Sequence, residues 1–408
     1  MTRRTYLYTM LLLAAIAVLA WLLWPRPPAP VTASLIARAA AEETAGFARV
    51  EGPVPSLRSG QALSGDEGPR LLVFPADLGP HEDFQMEWWY YTGNLTAETG
   101  EHFGYQLTFF RRALVPPAGR VDRASAWAAD QVYMAHFAIT DVAGGTHHAF
   151  ERFSRGAAGL AGAQAEPFRV WLEDWSVAQI PPSSSKFPQA SLLLASSGDV
   201  SLALTLHDLK GIILQGDHGY SRKGPEPGNA SLYFSQTRIA SEGAITVRGK
   251  TYRVSGLSWM DREISASALG PEQIGWDWFS LQLSDGSELM VYLMRRADGS
   301  VDSFSSGTLI APDGMTRQLS RDDIAVQATG RWRSPRTGGD YPAGWLLTIP
   351  SADLRLTITP WLADQEMAVS LPYWEGTVKV EGTAGGRAVT GDGYVELTGY
   401  AGAMQGWF

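Results

Sequence analysis

The sequence predicts an all-β protein: two antiparallel β-barrel domains in tandem, behind an N-terminal transmembrane anchor or signal segment. Three observations carry that reading. First, apolar and polar residues alternate with period two, which gives each strand one apolar face. Phe103, Tyr105, Leu107 and Phe109 alternate with Gly104, Gln106 and Thr108, and Leu354, Leu356 and Ile358 with Arg355 and Thr357. Second, turns such as Ala143-Gly144-Gly145, Asp285-Gly286 and Asp392-Gly393 punctuate the runs, and no long helical pattern follows residue 70. Third, an acid set among aromatics occurs twice. Glu87-Trp88-Trp89-Tyr90 runs into a hairpin ending at Arg111-Arg112, and Trp276-Asp277-Trp278-Phe279 into one ending at Arg295-Arg296. Both begin with the acid among aromatics and end on an arginine pair, the second over a run six residues shorter, 18 from Asp277 to Arg295 against 24 from Glu87 to Arg111. One hairpin unit therefore opens each domain.

In chain order, Arg3 and Arg4 precede an uncharged run over residues 5–24. Twenty such residues can span a bilayer as a helix, and basic residues before it keep that end in the cytoplasm. The rest of the chain is then expected on the periplasmic side of the inner membrane, anchored or released. Pro25-Arg26-Pro27-Pro28 stops the helix. Residues 25–70 read as a linker that holds a short alanine-rich helix over 34–50 and then a stretch of Gly, Pro, Ser and charge. Residues 71–255 form the first expected barrel and 256–408 the second, with the junction near 235–265.

Composition narrows the function. The 408 residues carry a formal charge of −9, which argues against a nucleic-acid partner. There is no cysteine, so disulfides, thiolate nucleophiles and Cys-zinc sites are excluded. Fifteen Trp, fourteen Tyr and fifteen Phe suit strands and apolar cavities. No HExxH or GxSxG pattern occurs. His147-His148, His207-Asp208 and Asp217-His218 lack metal-ligand spacing, and no metal or cofactor is expected.

Candidate site residues follow from carboxylates placed where burial is expensive. Ser258-Trp259-Met260-Asp261-Arg262-Glu263 is the densest motif. On a strand Trp259, Asp261 and Glu263 share a face and Arg262 points away. Two acids and an indole on one face suit a carboxylic acid beside an apolar cavity, where desolvation keeps it protonated; an ion-pair cluster is the alternative. Glu87 and Asp277 are either acids held neutral by rings or carboxylates paired with their hairpins' arginines, with guanidinium stacked on Trp. His136, on the apolar strand around Tyr133, is a proton shuttle or a hydrogen-bonded core histidine. Catalytic candidates are thus Asp261, Glu263 and His136. Ligand-binding candidates are Trp259, Trp276, Trp278, Asp277, Glu87, Trp88, Trp89 and Tyr133.

Four strings make a resemblance: Glu87-Trp88-Trp89-Tyr90-Tyr91-Thr92-Gly93-Asn94-Leu95, Phe103-Gly104-Tyr105-Gln106-Leu107-Thr108-Phe109-Phe110-Arg111, Tyr133-Met134-Ala135-His136-Phe137, and the Ser258–Glu263 motif. Over roughly residues 74–400 the chain resembles the AttH-like and carotenoid 1,2-hydratase-like proteins, many described as secreted hydrolases. The resemblance implies two lipocalin-like barrels. It also implies that Asp261 corresponds to the acid of the hydratases, with Trp259 at the position of a tyrosine in their motif. The preceding strand, Ser231-Leu232-Tyr233-Phe234-Ser235, lacks the histidine that those hydratases carry. The expected function is binding of an elongated apolar molecule, a lipid or isoprenoid. The alternatives are a hydratase or hydrolase that acts on such a ligand through a carboxylic acid, and an accessory protein to an ABC-type membrane transporter.

Overall fold

The structure, a computed structural model, describes residues 46–50, 71–181, 190–226, 228–265, 269–270 and 272–404. The expected anchor over residues 5–24, nearly all of the linker and the chain end at 405–408 lie outside them. Among the described residues no helix is long and apolar enough to cross a membrane. The regular structure there is strand, interrupted by four 3₁₀ turns of three residues each. All described residues fall within one compact unit.

Two antiparallel sheets make the body. The first runs, in spatial order, Thr146–Arg155, Gln131–Asp141, His102–Ala113, Met86–Ala97, Lys250–Ser265, Ala230–Val247, Val200–Asp208, Ala190–Ser197, Trp175–Ile180, Arg169–Leu172 and Ala161–Gln164. It curls into a nearly closed barrel around Trp89, Leu95, Phe103, Leu107, Phe137 and Trp175. The second runs Thr316–Ser320, Ser306–Ile310, Glu288–Arg296, Gln273–Leu283, Arg387–Leu397, Tyr373–Ala384, Leu354–Pro360, Trp345–Ile349 and Ala325–Ala328. It forms a half-barrel around Phe279, Leu281, Trp345, Leu356 and Trp374. The architecture is therefore two barrel-like sheets, as the periodicity implies.

The change of sheet falls between Ser265 and Gln273, not at residue 256. Lys250–Ser265 pairs with Ala230–Val247 from end to end and, over residues 254–265, with Met86–Ala97, so it sits in the middle of the first sheet. Pairing across more than 150 residues of separation leaves no local mark, which is why the sequence places the junction too early.

The two duplicated hairpins face one another. Residues on one side of each hairpin fill its own barrel. Those on the other side, including Trp88, Tyr90, Trp276 and Trp278, meet in a separate apolar cluster between the sheets. Both faces are thus largely buried, and most positions of both strands are buried, with Trp88 and Trp276 only partly so. Asn94 and Gln282, each late in the first strand of its hairpin, play matching parts. Asn94 Nδ2 donates to Gly393 O of the second sheet at 2.9 Å, and Gln282 Nε2 donates to Thr237 O and Ser258 O of the first at 2.7 and 3.0 Å.

Candidate active site

Alternation along Lys250–Ser265 decides the site. Trp259, Asp261 and Glu263 point out of the first barrel toward the second sheet, whereas Arg262 points back. A cavity lies there, lined by Trp88, Tyr90 and Phe110 from the first hairpin, by Asp261 and Glu263, and by Trp276, Trp278, Tyr292, Met294 and Glu396 from the second sheet. Lys223, Ser231 and Ser265 complete the wall. The open space is about 60 Å³. The cavity sits between the two barrels, on their outer faces, while the barrel interiors hold the two large apolar cores.

Asp261 is 3% exposed and accepts three hydrogen bonds. Trp259 Nε1 and Ser235 Oγ donate to its Oδ1 at 2.6 and 2.5 Å, and the Tyr233 hydroxyl donates to Oδ2. Tyr233 in turn accepts from Trp278 Nε1 at 3.1 Å. Burial raises the Asp261 carboxyl; the three donors, which favour the anion, offset part of that rise and leave it at about 7. Glu263 accepts from Ser231 and lies 3.3 Å from Lys223 Nζ. The Lys223 ammonium also sits over the Tyr292 ring at 3.9 Å. Burial pulls it down, but Glu263, Tyr292 and Asp261 together outweigh burial and leave it raised and cationic. On the opposite wall Trp276 Nε1 donates to Glu396 Oε2 at 2.7 Å, and burial lifts the Glu396 carboxyl to about 8. The cavity thus pairs aromatic walls with carboxyl groups that change protonation near neutral pH. That combination can move protons on a group small enough to enter the space.

The structure brings together Asp261, Glu263, Trp88, Trp276 and Trp278 on the cavity wall, with Trp259 immediately behind as a donor to Asp261. It does not bring Glu87, Trp89, Tyr133, Asp277 or His136 to that wall. For Glu87, Trp89, Tyr133 and Asp277 the reason is parity: neighbouring strand residues face opposite sides, so Trp88 and Trp89 cannot share one cavity, whereas His136 is on the outward face in register with Tyr90 and is screened by Phe110. Trp89 and Tyr133 are part of the first barrel core.

Glu87 closes the end of that barrel. It is fully buried and pairs with Arg111 of its own hairpin and with Arg262, whose guanidinium stacks 3.8 Å from the Trp89 ring. The His81 backbone N–H donates to it at 3.0 Å. Burial pushes its carboxyl up, but Arg262, Arg111 and His81 outweigh that and hold it well below the usual range. Asp277 repeats the device more loosely, with Arg295 Nε at 2.8 Å and the Tyr400 hydroxyl at 3.0 Å, and burial leaves it raised. His136 sits behind Phe110, its Nδ1 2.7 Å from the Tyr373 hydroxyl and its Nε2 3.2 Å from Glu151. Among the described residues no cluster of His, Asp or Glu is arranged to hold a metal ion.

Sequence reasoning missed Tyr233, Ser235, Lys223, Tyr292 and Glu396. Tyr233 and Ser235 lie on the strand identified as the neighbour of Asp261, at even spacing, so their shared face was available as a signal. Glu396 is an acid inside the strand Arg387–Leu397 and was passed over. Nothing local marks Lys223 or Tyr292.

The model of the AttH-like family matches residues 66–400. Among solved structures, a protein from Nitrosomonas europaea described as AttH is 34% identical, with a TM-score of 0.71 over 83% of this chain and 100% of its own. Kievitone hydratase from Nectria haematococca is 15% identical, with a TM-score of 0.61 over 88% of this chain and 98% of its own, a likeness of fold. No curated protein matches the sequence.

Proposed function

This chain belongs to the AttH-like family, and from that premise we propose that it binds an apolar, unsaturated molecule between its two barrels and that Asp261 moves a proton as this molecule gains or loses water. The observation that carries the proposal is a buried carboxyl poised at about 7, its oxygens held by Trp259, Ser235 and Tyr233 beside an aromatic-walled cavity. A pure carrier has no use for such a group, because a buried carboxyl destabilises the fold unless it serves another purpose. The aromatic rings that line the space suit a flat or isoprenoid group, and their faces stabilise positive charge that develops on carbon. One structural neighbour is a hydratase, and addition or loss of water at a double bond is the reaction class that suits this cavity. The missing histidine of the carotenoid hydratases leaves Ser235 and Tyr233 as the partners of Asp261. Lys223 and Glu263, paired beside it, set the local field.

The test uses the purified full chain and a panel of terminal-alkene isoprenoids and prenylated phenols in deuterated water. The wild type is expected to place deuterium on carbon of at least one probe. Asp261→Asn is expected to lose this by a factor of about 100 or more, while probe affinity, read by Trp fluorescence quenching, stays within about threefold. Binding without deuterium incorporation across the panel, indifferent to Asp261→Asn, would make the protein a carrier and overturn the catalytic reading.

The proposal includes location. We place the ligand site on the periplasmic side of the inner membrane, with residues 5–24 as anchor and with a lipid or isoprenoid and an ABC-type transporter as partners. The supporting observation is the uncharged run behind Arg3 and Arg4.

A further inference from the structure

Glu375 and Glu396 stand directly opposite one another on neighbouring strands of the second sheet, with their side chains on the same face. Two like carboxyls at a cross-strand position destabilise a sheet when both are charged, and no arginine or lysine among the described residues pairs with either. Glu375 is fully buried. Its Oε2 accepts the Tyr90 hydroxyl at 2.8 Å, while its Oε1 has no hydrogen-bond partner and no contact with solvent. Tyr90 lines the cavity, and so does Glu396. Glu396 therefore faces the Asp261 wall across the same space, and Glu375 lies behind it, tied to the cavity through Tyr90.

We propose that Glu396, backed by Glu375, is the second proton-exchanging carboxyl of this cavity and works on the side of the ligand opposite Asp261. The inference rests on the proposed function and deepens it: the substrate class is an alkene that gains water, or the corresponding alcohol that loses it, with the two carboxyls acting from facing walls.

Roles follow from the donors each wall supplies. Three donors cradle Asp261 and accommodate its anion, so it acts as the base in hydration. Glu396 has one donor, Trp276, and an acid for a neighbour, so its neutral form is the resting one. In hydration the Glu396 proton goes to one alkene carbon, and the π pair becomes the new C–H bond. The oxygen of a water bonds to the other carbon as one of its protons passes to Asp261. Alkene plus water gives alcohol. Glu396 is left ionised and Asp261 protonated, and exchange with water restores both. Dehydration is the reverse.

The groups that face this pair are few. Tyr90 comes from Met86–Ala97, Asp261 and Glu263 from Lys250–Ser265, Trp276 from Gln273–Leu283, Tyr292 from Glu288–Arg296, and Lys223 from the turn ahead of Ala230–Val247. Tyr373 and Tyr394 lie on the pair's own strands, and the Tyr394 hydroxyl also lacks a partner. Burial, joined by the charge of Glu396, lifts the Glu375 carboxyl well above its ordinary range. Burial, joined by the charges of Glu263 and Asp261, lifts Glu396 to about 8.

The test needs no substrate and so separates this inference from the proposed function. Infrared difference spectra of the full chain are recorded from about pH 6 to about pH 10, in the C=O stretch of protonated carboxylic acids. The wild type is expected to show a band that titrates near 8 and is absent from Glu396→Gln, and a second that persists at neutral pH and is absent from Glu375→Gln. If Glu396→Gln fails to fold, Glu396→Asp, which keeps the carboxyl but retracts it, should shift the titrating band. Identical difference spectra for the wild type and the Glu396 variants would overturn the inference. So would deuterium incorporation that survives in a folded Glu396→Gln while Asp261→Asn abolishes it.

Discussion

Asp261 and Glu87 show how the same side-chain chemistry takes opposite roles. Both are buried on one barrel. Glu87 meets two guanidinium groups and stays ionised, whereas Asp261 meets only neutral donors and rises to about 7. Their effects on stability carry opposite signs. The Glu87 carboxyl is depressed in the folded state, so its contribution is present above its unfolded value and is lost as pH falls through the folded one. Asp261 is raised, so the folded state holds the extra proton, and stability falls as pH rises from its unfolded value of about 3.9 through about 7. Two outcomes are expected. Glu87→Gln leaves Arg111 and Arg262 buried without a counter-charge and should destabilise the fold by about 3–5 kcal/mol in urea titration. Asp261→Asn should melt above the wild type at alkaline pH, and the gap should close as pH falls toward 4, which differential scanning calorimetry would read. Tyr233→Phe removes a donor that favours the Asp261 anion. It should move the Asp261 limb of the pH–rate profile upward; an unmoved or lowered limb would contradict the assignment.

The duplicated hairpins do two jobs each, because strand alternation gives them two buried faces. Inward residues such as Phe103, Phe109, Phe279 and Leu281 hold the cores. Outward residues hold the sheets together and build the cavity. Close contact between the sheets depends on small residues: a Cβ on Gly104 would stand 2.6 Å from the side chain of Thr377 on the second sheet. Gly104→Val is therefore expected to wedge the sheets apart and cost about 1–3 kcal/mol. A urea midpoint equal to the wild type's would show that this contact is slack.

The two barrels are expected to unfold as one body. Beyond the apolar cluster between them, Lys210 of the first barrel reaches Glu288 of the second at 2.5 Å and donates to Gly286 O and Ala311 O at 2.8 and 3.0 Å. Arg238 joins Glu288 at 2.5 Å. Calorimetry of the wild type should give one transition, and the double variant Lys210→Ala/Arg238→Ala should separate it into two. The sequence already contained the strand alternation, the doubled acid-among-aromatics hairpin and the common face of Trp259, Asp261 and Glu263, because each depends on residues two apart or on one turn. It also offered both readings of Glu87. It could not say which outward face meets which, so Trp89, Tyr133 and Asp277 were grouped with Trp88 and Trp278. Glu396, Lys223 and Tyr292 come to the cavity only through pairings between strands far apart in the chain. Alternation fixes the side on which a residue lies, but what covers that side is set by packing over the whole chain, and with it the choice between an ion pair and an acid poised near neutrality.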